Sequence, residues 1–130
     1  MLRKLSSIPI WRGMQNINSN VLSSLIGKEP DKDCGAASIN RRVNIKSHGW
    51  WSERIGFAIL YACTDSVKEN KHNTYDVILK GIPELNDAPF NTHEFRKNDK
   101  NIITITDVYY CVKSGTADER IKRIKALIRI

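Results

Sequence analysis

Three short stretches hold residues able to do chemistry together. "WRGM" sets Arg12 between Trp11 and Gly13, "HGWWSER" places Ser52 directly behind Trp50 and Trp51, and "NTHEF" carries Glu94 beside His93. An arginine suits a phosphate or diphosphate because its fork donates two aligned hydrogen bonds. A neighbouring glycine lets a ligand come close to the backbone. A fixed carboxylate stabilises positive charge that develops on carbon. Aromatic rings offer a flat apolar wall to a planar ligand. His48 and His93 could add acid–base chemistry near neutral pH.

Ordinary explanations exist for each residue. Arg12 can pair with a carboxylate on the polar side of a strand. Ser52 can cap a helix that begins near Glu53. Glu94 can balance Arg96 and Lys97 at the surface. Adjacent strand residues face opposite ways, so one of Trp50 and Trp51 belongs to the core.

The elements that must position these residues follow from the hydrophobic pattern. Residues 8–12 read as a strand, with Pro9 costing it a ladder hydrogen bond. Val21, Leu22, Leu25 and Ile26 stand at helical spacing between a cap at Asn18 or Ser19 and Gly27. The polar segment 28–38 reads as a loop, and Ile39, Val43 and Ile45 as the buried side of a strand. Residues 53–63 form a helix that is apolar nearly all round, which predicts burial between other elements. Tyr75, Val77 and Leu79 line one face of another strand, and "HEF", "NIITI" and "VYYCV" supply short strands. The chain ends in a helix with Ile121, Ile124, Leu127 and Ile128 on one stripe and Lys122, Arg123, Lys125 and Arg129 on the wet side. Asp118 and Glu119 in its first turn suit the helix dipole. The order predicts an α+β fold with about three helices and a small mixed or split sheet, as one domain over residues 1–130.

Composition narrows the partners. The net charge of +7 suits a macromolecule with an acidic surface, protein or nucleic acid. No apolar run reaches the roughly 18 residues that span a membrane, and no cleavable leader is expected. Cys34, Cys63 and Cys111 are few and widely spaced, which predicts thiols in a reducing cytoplasm and no zinc site.

In order and spacing, "WRGM", "WWSERIGFAILYA" and the glutamate of "THEF" resemble the mono-ADP-ribosyltransferases. The resemblance covers residues 8–112 and implies NAD as substrate, with ADP-ribose passed to a macromolecule in the setting of a phage or toxin-system effector. It implies Glu94 as the catalytic carboxylate. Arg12 and Gly13 would hold the NAD phosphates, and Ser52 would support the ribose or the glutamate. Trp50, Trp51 or Tyr61 would stack on the nicotinamide. The chain departs from the family in keeping one hydroxyl residue at the serine motif. It also carries Thr92 two residues before Glu94, where many members have glutamate or glutamine, so arginine is not implied as the acceptor. Two other readings stand beside this one: a ribonuclease-type toxin using His48, His93 and Glu94, and a non-enzymatic basic inhibitor or nucleic-acid-binding module.

Overall fold

The computed structural model describes residues 8–31, 33–44, 51–64, 74–84 and 102–130, together with the backbone of 94–95. The first strand, β1 (Ile10–Asn18), runs well beyond the five residues the pattern indicated. A bulge between Met14 and Ile17 takes up its polar "QN" step, with Asn16 at φ 53° accepting a hydrogen bond from Lys113 Nζ at 2.8 Å. The Asn18 side chain then caps α1 (Ser19–Ile26) by accepting from Val21 N at 2.9 Å. Gly27 ends α1 in the left-handed region.

β2 (Cys34–Asn44) starts inside the segment expected to be loop. "CGAAS" has little apolar mass, so periodicity misses it, yet it pairs with β6 residue by residue from Cys34↔Cys111 to Ser38↔Asp107. The two-residue β3 (Trp51–Ser52) leads into α2 (Ile55–Cys63). β4 (Thr74–Pro83), β5 (Glu94–Phe95), β6 (Ile102–Val112) and α3 (Ala117–Ile128) complete the described elements. The described part of "NIITI", from Ile102, and "VYYCV" belong to one long strand, β6. The register slips by one residue at Thr106 against β4, and this keeps the apolar alternation in phase across the polar "TD" step.

These strands form a six-stranded sheet in the order β2-β6-β4-β1-β3-β5, antiparallel at every pairing. Among the described residues the fold is therefore α+β with three helices, as expected, and the strands join in a single antiparallel sheet in place of a mixed or split one. One face buries Ile10, Val77, Leu79, Ile103, Ile105, Val108 and Tyr110 with Leu22 and Ile26 of α1. The other face packs Ile78 and Cys111 against Ala58, Ile59 and Ala62 of α2 and Ile124 of α3. β4 lies at the centre and is buried on both sides, which explains its near-continuous apolar run.

α2 departs from its expected setting. Its inner side is buried, but Phe57, Leu60 and Tyr61 are about half exposed, at 45%, 50% and 62%. Apolar content all round did not mean burial all round, because the helix has the sheet on one side only. Its approach to β1 is close at Gly13. A Cβ there would run into the carbonyl oxygen of Ala58 and stand 3.0 Å from Ala62 N. Gly13→Ala is expected to push α2 off the sheet and lower stability by about 1 to 3 kcal/mol, read as a shift in the urea midpoint. A variant as stable as the native chain would show that α2 yields freely.

Two polar features were not expected. Arg120 of α3 is buried and pairs with the fully buried Asp76 of β4. Cys34 and Cys111 form a disulfide between β2 and β6, which corrects the expectation of three thiols. Cys63 remains a buried thiol. Among the described residues, no helix is long and apolar enough to cross a membrane.

Candidate functional site

Register carries one row of residues across the whole sheet. Ser38 of β2 pairs with Asp107 of β6, Asp107 with Lys80 of β4, Lys80 with Trp11 of β1, Trp11 with Ser52 of β3, and Ser52 with Glu94 of β5. Directly paired residues on antiparallel strands share a face. Strand alternation relates this row to Gly13, Ile78, Tyr109 and Cys111, so it lies on the α2/α3 face, two residues along β1 from the crossing at Gly13.

Five of the six positions in the row are polar. Lys80 Nζ sits 5.6 Å from the centroid of the Trp11 ring, within cation–π range. The Tyr109 ring lies on the same face, with its centroid 6.4 Å from that of Trp11 and tilted by 34°. Burial raises the Tyr109 phenol above its ordinary pKa, and the negative charge of Asp107 adds to the effect. Asp107 accepts from Ser38 Oγ at 3.3 Å and from Thr106 Oγ1 at 2.8 Å. Ser52 is 6% exposed, and its hydroxyl oxygen accepts from Arg54 N at 3.0 Å. This bond shapes the turn into α2. Arg54, not Ser52, occupies the N-cap position, and it makes no side-chain capping bond.

The residues singled out in the sequence divide among several places. Ser52 and Glu94 are register partners on neighbouring strands, in the row that includes Trp11. Arg12 pairs with Leu79 and alternates with Trp11, so its position belongs to the α1 face with Ile10 and Met14. Burial lowers the pKa of its guanidinium, opposed by the nearby Tyr61 phenol. Trp51 is the core tryptophan, 1% exposed on that same α1 face, and its Nε1 finds no hydrogen-bond partner among the described residues. Gly13 is where α2 rests on β1. Tyr61 lies on the outer side of α2, and its carbonyl accepts from Gln15 Nε2 at 2.5 Å. Trp50, His48 and His93 lie outside the described residues.

Sequence reasoning missed Lys80, Asp107 and Tyr109. A signal existed for the first two. "DVILKG" and "ITITDVYY" are apolar strands each interrupted by a charge in mid-run, where a strand buried on both faces tolerates one only with a specific surrounding.

No family model, curated protein or solved structure matches the chain.

The row offers an aromatic face, a cation beside it, a hydroxyl and a carboxylate-bearing position. Such a set can hold a flat ring and an anion at separate points. It can also stabilise positive charge between them.

Proposed function

We propose that the protein splits the nicotinamide–ribose bond of NAD and transfers ADP-ribose to a macromolecule with an acidic surface. The observation that carries this reading is the adjacency of β1, β3 and β5, which sets Trp11, Ser52 and Glu94 side by side in register. Ser52 and Glu94, 42 positions apart in the chain, are register partners, which supports this reading; the Arg12 position is on the other face.

In the proposed reaction the bond from ribose C1 to the nicotinamide nitrogen breaks. Its electron pair leaves with nicotinamide, which departs neutral, and C1 takes on oxocarbenium character. The Glu94 carboxylate stabilises that charge and accepts a hydrogen bond from a ribose hydroxyl. Ser52, fixed by its bond from Arg54 N, holds the backbone between β1 and β5 in place. A nucleophile of the acceptor then bonds to C1 and passes its proton to water. The aromatic wall belongs to Trp11 and Tyr109 on this face, where Trp51 does not reach.

Purified protein incubated with labelled NAD and cell lysate is expected to release nicotinamide and label a macromolecule. Glu94→Gln should lower the rate by about 10² to 10³-fold while leaving the circular dichroism spectrum unchanged. Wild-type protein that releases no nicotinamide, alone or with lysate, would end this reading. Hydrolysis of RNA without NAD would replace it with the ribonuclease one. As to location, the cytoplasm suggested by the sequence and the Cys34–Cys111 bond pull in opposite directions, since cytosolic thiols are held reduced. Counting alkylatable thiols in protein quenched directly from cells decides between them.

A further inference from the structure

The resemblance gives the phosphate grip to Arg12, yet Arg12 and Ser52 stand on opposite faces of the sheet. We infer that Lys80, held over the Trp11 ring in the same row as Ser52, is the anion-binding group of this site and takes a diphosphate. That the diphosphate is part of NAD rests on the reading above; the assignment of the cation does not.

Lys80 is placed for this by its strand. It is on the Ser52 face, two strand spacings from Ser52, or about 10 Å between backbones. That span accommodates a ribose between a phosphate at Lys80 and a reacting carbon near Ser52. Among the described residues the ammonium has no carboxylate partner. Its row neighbour Asp107 turns one oxygen to Ser38 and the other to Thr106. A half-buried lysine in mid-strand, seated on an indole, has already lost most of its side-chain freedom and part of its hydration. A ligand anion therefore meets a cation that needs little further ordering. Arg12 is the weaker candidate: its burial disfavours the charged form, its strand position belongs to the face of Trp51, and its guanidinium lies near the Tyr61 phenol on the outer side of α2.

Titration calorimetry with ADP-ribose and with inorganic pyrophosphate tests the assignment on the full chain. Lys80→Met keeps the aliphatic stem against Trp11 and removes the charge. It should weaken both ligands by about tenfold or more, as loss of a charge-assisted hydrogen bond does. Lys80→Arg should restore binding to within about threefold, and Arg12→Met should stay within about threefold of wild type. Lys80→Met binding like wild type, or Arg12→Met losing the tenfold instead, overturns the assignment, as does a wild-type chain that binds neither ligand. The two readings separate in the same experiment. Lys80-dependent binding without nicotinamide release upholds the cation and ends the ADP-ribosyl reading. Nicotinamide release with an unchanged KM in Lys80→Met does the reverse.

Discussion

Asp76→Ala is expected to destabilise the protein by about 3 to 5 kcal/mol, the cost of leaving a buried guanidinium without its counter-charge. Asp76 is 0% exposed, and Arg120 meets it with two hydrogen bonds, at 2.9 Å from Nε and 2.5 Å from Nη2. The same Nη2 donates to the carbonyl of Ala62 at 3.1 Å. One guanidinium thus links the central strand β4, the helix α3 and the last turn of α2, which carries no basic residue of its own. Ala62 O is one of the carbonyls that a helix end leaves without an intrahelical partner, and a cation is the favourable group to meet it. Removing the carboxylate removes both of these hydrogen bonds and keeps the charge. Urea unfolding at constant m-value measures the loss. The double variant Asp76→Leu with Arg120→Met is expected to recover much of it, because an apolar pair of similar volume has no charge to desolvate. A loss below about 1 kcal/mol in Asp76→Ala would mean that water reaches the guanidinium and that the junction is not dry.

Reducing the Cys34–Cys111 bond should cost about 4 kcal/mol, chiefly through the unfolded chain. The two cysteines are 77 residues apart in sequence and directly opposite one another in the β2–β6 register. Closing so long a loop removes many conformations from the unfolded ensemble, which is why a bond between residues that the sheet already pairs still matters. β2 is an edge strand held to the sheet through β6, so the staple restrains an element with one neighbouring strand. Denaturant midpoints of the oxidised protein and of the Cys34→Ala, Cys111→Ala double variant give the comparison. Equal midpoints would show that the ladder alone secures β2.

Local signals in the sequence settled most of the elements. Asn18 and Gly27 delimit α1 as expected. Thr116 and Glu119 start α3 with a reciprocal capping box, the Glu119 carboxyl held below the ordinary range by Thr116. Tyr75, Val77 and Leu79 share a face, as their alternation required. The helical spacing of Val21, Leu22, Leu25 and Ile26 and that of the C-terminal isoleucines also held, since each depends on neighbours within a turn or two.

Tertiary structure alone decided the rest. Whether α2 is buried on one side or two depends on what lies opposite it, and composition within the helix holds no information about that. Which residues of β1 look toward Ser52 depends on the β1–β3 register, so Trp11 and Lys80 entered the row while Arg12, one residue on, fell to the other face. The partners Asp76 with Arg120 and Cys34 with Cys111 are joined by pairings between distant strands and helices, and no local pattern announces them. Sequence determined which segments become strand or helix because short-range sterics and periodicity govern that choice. The fold determined which side chains share a face, because a pairing shift of a single residue exchanges one face for the other.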